Sequence, residues 1–430
     1  MKIVKSSGIS PFGGLNFVIN ETIALNINTL LNRNLPKLPN QTKYNWFDIF
    51  MSYWSVFFCG GDCAEDLAIN IKNGLRNNPL INIPSPDRVL ERIKSLSDDT
   101  QLFKADRGDK VHQFSLAEDM NKLNLKMLCL LPDFKKKDVV LDYDNTIIFN
   151  QKKDALFTYK KENGYFPGVG MIGKHIVYVE NRNGNSSAHV MQHETIDRMG
   201  NQLKEAKINI DVIRADSASY TYDIIQSMER ISKRFFVKAR MNETLEKAIA
   251  NIKDWKEINI GDELVFRGST SFTPFTRHAR GNKSKTSSLK EYRIVITKEA
   301  RKDGQINLFT GEACNYSAIM TNDFEMTEDQ VVLFYNARGA EEREFDELKN
   351  DFGWNKMPFS KLEQNTVFLI IMAMCKNLYT HMIQKFSEKI KSLSPNFRIK
   401  KFIFRFICVP AKWINSGRTQ KLRIYGFNYT

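Results

Sequence analysis

Three carboxylates stand where this chain could use them for chemistry. Asp144 closes a β-branched apolar run in Val139-Val-Leu-Asp-Tyr-Asp-Asn-Thr146, and Asp216 ends the next strongly apolar run, in Arg214-Ala-Asp-Ser217. Acids at strand ends in an α/β sheet lie where ligands gather. The third acid is helical. In Tyr335-Asn-Ala-Arg-Gly-Ala-Glu-Glu-Arg-Glu-Phe-Asp-Glu-Leu-Lys349, a rotation of 100° per residue puts Tyr335, Arg338, Glu342 and Lys349 in a stripe about 60° wide. Glu341 and Glu344 fall outside that stripe, which singles out Glu342. Most such stripes are solvated faces laced with ion pairs. Here tyrosine is a poor choice for a solvated face, and Gly339 costs a helix about 1 kcal/mol relative to alanine. Three converging carboxylates repel one another unless a cation sits among them. Their all-oxygen donor set suits hard divalent ions such as Mg2+ or Mn2+. Two such ions about 3.5–4 Å apart activate a water and stabilise the departing oxygen in phosphodiester cleavage. That is the chemistry these residues predict.

Such a site needs a sheet and a helix to hold it. Residues 1–130 read as a mainly helical domain. An apolar helix from Trp46 stops at Gly60-Gly61, a second is expected over Asp62 to Lys72, and a third starts at Ser85-Pro86-Asp87. Short helices joined by tight turns are compatible with a helix-turn-helix-like reader of DNA ends, or with a plain helical bundle. The texture changes near Pro132. Residues 131–255 alternate strands and helices as an α/β domain does. Residues 256–315 are rich in Thr, Ser, Gly and β-branched runs and read as a β-rich insertion. The α/β pattern resumes over 316–395, with a long helix from Thr327 to Phe352 and an apolar one from Leu362 to Ile390. Residues 396–430 form a basic C-terminal segment.

With 430 residues the chain exceeds one ordinary core. Its longest uninterrupted apolar run, Val367–Cys375, is far short of the roughly 20 residues a bilayer span needs. No apolar stretch follows the N-terminus as a signal peptide requires. A cytoplasmic chain with no membrane partner is therefore expected, and its six cysteines read as reduced, mostly buried thiols. The charge is +14, with a pI near 9.3. The excess gathers in two patches, one from Arg267 to Lys302 and one from Lys385 to Thr430. Basic patches of this kind attract polyanions, nucleic acid above all. His189 and His193 could share a helix face, but no third zinc ligand accompanies them. Gly164-Tyr-Phe-Pro-Gly-Val-Gly170 lacks the Lys-Ser/Thr of a phosphate-cradling loop and reads as a turn into a strand.

The spacing Y-x2-R-x3-E-x6-K, intact at Tyr335, Arg338, Glu342 and Lys349, resembles the signature of bacterial insertion-sequence DDE transposases. Asp144-Asn-Thr146 resembles that family's first acidic element, a D-x-T after a strand, and Asp216-Ser217 its second. The resemblance covers roughly residues 130 to 395. It implies an RNase H-like catalytic core interrupted by a β-rich insertion, and two Mg2+ (or Mn2+) ions on Asp144, Asp216 and Glu342. It also implies contacts from Tyr335, Arg338 and Lys349 to the DNA end. The implied activity is cut-and-paste transposition at terminal inverted repeats of double-stranded DNA, by a dimer on DNA in a bacterial, nucleoid-associated setting. Asp142 stands two residues before Asp144 and is an alternative first ligand. Asp142-Tyr-Asp-Asn-Thr146 also resembles the D-x-D-x-T element of haloacid dehalogenase-type phosphatases, with Asp142 as nucleophile. That reading leaves the helical stripe and the basic patches unexplained. A third alternative is a transposase-derived DNA-binding protein that has lost catalysis.

Overall fold

The computed structural model describes residues 8–75, 78–104, 109–260, 263–276, 289–301, 303–306, 311–417 and 419–426. Its strands are β1 (Gln101–Lys104), β2 (Val111–Ser115), β3 (Val139–Asn145), β4 (Ile148–Phe149), β5 (Leu156–Phe157), β6 (Asn163–Tyr165), β7 (Gly168–Ile172) and β8 (His175–Arg182). They continue as β9 (Ile210–Ala215), β10 (Arg234–Lys238), β11 (Lys256–Ile260), β12 (Glu263–Phe272), β13 (Tyr292–Ala300), β14 (Cys314–Thr321), β15 (Ala411–Ser416) and β16 (Thr419–Ile424). Eleven of them build one sheet in the order β1-β2-β8-β7-β3-β9-β10-β14-β13-β12-β11. β3, β7 and β8 form an antiparallel meander, while β9 and then β10 lie parallel to β3. The architecture is mixed α/β.

Alternation along β3 decides which side chains meet which layer. Leu141 and Tyr143 face one way. On that side the helix Gln192–Glu205 crosses so near Gly170, the partner of Tyr143, that a Cβ there would run into the Met199 sulfur. Val140, Asp142 and Asp144 face the other way. Over that face lie the helices Glu328–Asn336 and Ala340–Asp351, where Val331, Val332 and Tyr335 pack with Val212, Phe236, Val295 and Ile319. The first of these helices opens with a capping box between Thr327 and Gln330, which satisfies two end groups reciprocally.

The apolar helix Leu362–Ser387 is long enough to cross a membrane by length and composition, yet 94% of its most apolar window is buried inside the protein. Asn377 bonds both backbone groups of Ile176 on β8, and the Trp54 indole donates to the Ile371 carbonyl. The helix Trp46–Phe58, buried all round, thereby joins the core of the sheet. One hydrophobic cluster runs from Leu15 to Ile407, so residues 1–130 share their core with the α/β layer.

Several expectations change. The N-terminal third is not all helix: β1 and β2 extend the main sheet through β8. The described strands of residues 256–315 lie in the main sheet. β14 pairs antiparallel with β10, and β13, β12 and β11 follow outward, so the β-rich stretch prolongs the sheet. Helix from Asp62 to Lys72 shrinks to a π-turn over Leu67–Ile71 and a short helix Lys72–Leu75. His189 precedes its helix, so it shares no helix face with His193. Thr327 to Phe352 is two helices separated by a 3-10 turn over Ala337–Gly339. Glycine there weakens the α-helical ladder, as its propensity suggests.

Candidate active site

β3 and β9 run parallel with Tyr143 opposite Ala215, so the next residues, Asp144 and Asp216, emerge side by side at the same end of the sheet. Asp216 caps the short 3-10 turn Ser217–Ser219, its Oδ1 accepting from the Ala218 amide at 3.0 Å. That bond fixes the direction of the carboxylate. From the opposite side the 3-10 turn brings Arg338, whose Nη1 donates to Asp144 Oδ2 at 3.0 Å and to Glu341 Oε2 at 3.1 Å. Glu342, next along, is exposed and makes no hydrogen bond or ion pair among the described residues. Electrostatics ties the three acids together. Burial pushes the Asp144 carboxyl up to about 6, Arg338 opposes the rise, and Asp216 and Glu342 add to it by repulsion. Asp144 thus senses both of the other acids expected from the sequence.

The rest of the stripe is less uniform. Tyr335 is 8% exposed and donates to the Ala215 carbonyl at 3.2 Å, so its hydroxyl steadies the strand end that carries Asp216. Lys349 is half-buried, and burial pulls its ammonium down. It lies seven residues beyond Glu342, about 10 Å along the helix axis. No ion pair joins it to the carboxylates among the described residues.

Asp142 has a different setting. Its two oxygens accept from Arg214 Nε and Nη2, both at 2.6 Å, and the pair is buried. Arg214 also donates to the Phe334 carbonyl and stacks on that ring, 4.9 Å from its centroid. A fork of this kind locks strand to strand and strand to helix. A nucleophile would need a free oxygen facing substrate, and Asp142 has none. A phosphatase of that type also needs a late acid after a strand; of the two candidates, Asp323 is bound to Arg234 and to two backbone amides, and Asp262 lies outside the described residues.

Two participants escape a reading of the sequence alone. Arg214 carries a signal, as a cation inside an apolar strand, in register with Asp216. Glu341 carries none. Regular α-helical rotation points it away from the stripe, but the tighter 3-10 turn swings it inward, where it is 3% exposed beside Arg338. Burial and the neighbouring Asp142 push its carboxyl up to about 9, so it holds its proton at neutral pH. Beneath the site a cavity of about 840 Å3 has Asp142, Arg214, Arg338, Glu341, Lys376 and His175 among its lining residues.

The basic patches also divide. In the first, Arg267 bonds Asp329, Lys290 bonds Glu229, Arg293 bonds Glu328, Lys298 bonds Glu312 and Arg301 bonds Asp303. Those cations neutralise the protein's own acids. Arg277, Arg280, Lys283, Lys285 and Lys302 lie outside the described residues. At the C-terminus Lys385 bonds Glu21, and Arg398 and Lys400 bond Asp351. The hairpin β15–β16 keeps Lys412, Lys421 and Arg423 on one face, since Lys412 opposes Arg423 and Ile414 opposes Lys421. Arg418 lies outside the described residues. The run from Phe402 forms a π-helical turn over Ile403–Ile407 that buries Ile403, Phe406 and Ile407.

No curated protein matches the chain. Among solved structures it resembles the piggyBac transposase of a cryo-EM synaptic complex with hairpin DNA. The identity is 12% and the TM-score 0.46, over 92% of this chain and 78% of that one, too slight a likeness to carry an argument. The family comparison is decisive instead. Residues 14–426 match the profile described as transposase DDE domain group 1. A match that takes in the whole sheet, both strand-end acids and the broken helix means that the chain belongs to the transposase DDE domain group 1 family and is a DNA transposase.

Proposed function

We propose that this transposase moves an insertion sequence of bacterial type by cut-and-paste, with Asp144, Asp216 and Glu342 as ligands of two divalent cations, Mg2+ or Mn2+. The observation that carries the reading is the placement of Asp144 and Asp216 abreast at the ends of parallel neighbours β3 and β9, with a cation, Arg338, already bonded to Asp144. The meander β3-β7-β8 followed by parallel β9 and β10 supports an RNase H-like core. The donor set suits hard cations: all oxygen and partly buried, with burial first and repulsion from Asp216 and Glu342 after it raising Asp144. Bound there, such ions would supply a Lewis acid and an activated water for in-line attack on phosphodiesters.

The chain's own groups do the positioning. Asp216 is aimed by its bond from the Ala218 amide, and Tyr335 clamps the strand end behind it. Arg338 neutralises Asp144 in the absence of metal. Once the acid is otherwise neutralised, the guanidinium is free to take a DNA phosphate while its Nη1 stays on Glu341. Lys349, farther along the helix, reaches a phosphate of the same end. A DNA contact from Tyr335 requires its hydroxyl to leave Ala215. Double-stranded DNA, its terminal inverted repeats and then target DNA, is the substrate. A dimer holds two ends together, and the bacterial cytoplasm, at the nucleoid, is where the reaction runs. Water cuts first, and the freed 3′-hydroxyl then joins the element to the target.

The test is strand cleavage of duplexes taken from the DNA flanking the gene, with and without Mg2+. Metal-dependent nicking at one defined position, absent in Asp216→Asn and Glu342→Gln, is expected. Nicking that survives either substitution at the wild-type rate overturns the three-carboxylate assignment.

A further inference from the structure

The turn after Asp216 has a second support, from a helix that carries none of the three acids. β7 is antiparallel to β3 and β8 is antiparallel to β7, so β8 runs with β3 and ends at the same sheet end. The helix Gln192–Glu205 follows β8 and begins on that side. Its first residue, Gln192, is 1% exposed, and its Nε2 donates to Ser219 Oγ at 2.7 Å. Ser219 is fully buried and closes the 3-10 turn that Asp216 caps, its amide donating to the Asp216 carbonyl at 3.2 Å. Ala218, whose amide aims the Asp216 carboxylate, lies within this turn. A shift of Ser219 is therefore passed directly to the carboxylate.

The helix start is itself held. Arg182, the last residue of β8, is fully buried, with its guanidinium 4.7 Å from the Phe114 ring centroid. Its Nη1 donates to the Val190 carbonyl at 2.8 Å and to that of Ala188 at 3.3 Å, and its Nη2 to the Thr195 hydroxyl at 3.2 Å. One guanidinium thus pins the chain on both sides of Gln192. Stability does not account for the glutamine. Its Oε1 is buried with no partner among the described residues, and an unpaired buried acceptor costs about as much as one ordinary hydrogen bond returns. An apolar side chain of that length would fill the place without the loss. What the amide supplies is direction, since it fixes Ser219 in one place.

We propose that Gln192 is a positioning residue of the metal site, holding through Ser219 the turn that directs the Asp216 carboxylate. The proposal rests on Asp216 as a metal ligand and adds the group that orients it. Partners that orient a ligand typically set metal affinity by about 10- to 100-fold. A carboxylate free to swing must be ordered when the ion binds, and the bond between Gln192 and Ser219 orders it beforehand.

The experiment uses the full chain and two measurements. Mn2+ binding without DNA is followed by the electron paramagnetic resonance of the free ion, and strand cleavage of the flanking duplex is titrated with Mg2+. Gln192→Leu removes the amide and keeps the size. It should bind Mn2+ about tenfold more weakly and need about tenfold more Mg2+ for half-maximal cleavage. At saturating Mg2+ its rate should approach that of the wild type. Ser219→Ala should weaken Mn2+ binding similarly, and the double variant should be no weaker than the single ones, because all three lose the same bond. Gln202→Leu, at a buried glutamine farther along the same helix, should leave Mn2+ binding at the wild-type level. Wild-type Mn2+ affinity in both Gln192→Leu and Ser219→Ala overturns the proposal and leaves the bond a packing feature. An equal loss in Gln202→Leu overturns it too, since any disturbance of the helix would then suffice. Mn2+ binding that survives Asp216→Asn unchanged would instead overturn the metal-ligand reading, so the two failures are distinct.

Discussion

Two aspartates on one strand, on one face and two residues apart, have opposite environments. Asp142 is clasped bidentately by Arg214 and sealed under Phe334. Asp144 gives one oxygen to Arg338, shares that arginine with Glu341, and keeps 22% of its side chain open. The first pair is architecture: each charge is satisfied by the other through two short bonds. At the second, a cation is held by single contacts, and a stronger cation can displace it. Sequence spacing treats these acids as equivalent, whereas the arginine that each meets decides which is free to bind something.

The comparison is broken most directly by removing each acid. Asp144→Asn should leave no detectable strand cleavage with DNA binding largely intact, measured by gel assay in Mg2+. Asp142→Asn should be only impaired in cleavage, but it leaves the Arg214 charge buried without its partner. That typically costs about 3–5 kcal/mol, read as a drop in the denaturant midpoint. The reverse ranking in cleavage would transfer the ligand role to Asp142. Phosphatase activity on small esters that vanishes with Asp142 would restore the phosphatase alternative.

The sealed side should also show in the pH dependence of stability. Asp133 bonds His381 Nδ1 at 2.6 Å and lies 3.9 Å from His175 Nε2. Burial pulls His381 down, but its bonds to Asp133 and Glu21 outweigh it and raise the imidazole above 6.5. Burial, with Lys376 adding to it, pulls His175 down to about 4. A raised histidine holds its proton more tightly folded than unfolded, so its stabilisation is full below 6.5 and lost as pH rises through the folded value. A depressed histidine acts the other way, and stability falls as pH drops from 6.5 toward 4. Thermal midpoints of the metal-free protein should therefore peak between these windows. His381→Gln should remove most of the decline above 6.5 and leave the acid side in place. A decline above 6.5 that His381→Gln leaves untouched would place its source elsewhere.

The smallest effects concern the two basic patches, which repeat the contrast at the surface. Neutralising Lys412, Lys421 and Arg423 on the β15–β16 hairpin should flatten log K against log[salt] by nearly three, at about 0.9 per phosphate contact. Preference for the element's ends should barely change, because phosphate contacts position and base contacts specify. Arg267→Gln should leave the salt slope alone, since that guanidinium already answers Asp329 on the helix above the sheet, and should lower stability instead. An unchanged slope in the hairpin variant would mean that its face points away from DNA.

Much of this was legible in the chain. The β-branched run ending at Asp144 and the apolar run ending at Asp216 announced two strand-end acids, because period and composition are local properties. The helix start at Thr327, the Ser85-Pro86 start and the apolar helix from Leu362 were readable for the same reason. Other features were not local. Whether the strands of residues 256–315 stand apart or prolong a sheet depends on β14 pairing with β10 across more than eighty positions, and no window of sequence contains that choice. Glu341 was hidden because the 3-10 turn over Ala337–Gly339 rotates the next residues by a different angle from that of a continuous α-helix.

What the sequence by itself determined is the inventory: three acids at chemically useful spacings, the strands and helices that end beside them, and a basic surplus for a polyanion. Side-chain type, periodicity and capping fix these within a few residues. What only the tertiary structure decided is pairing. It gave Arg214 to Asp142 and Arg338 to Asp144, and engaged much of one basic patch with the protein's own acids. Charge and burial act through space over a few ångströms, and the fold alone sets which residues come that close.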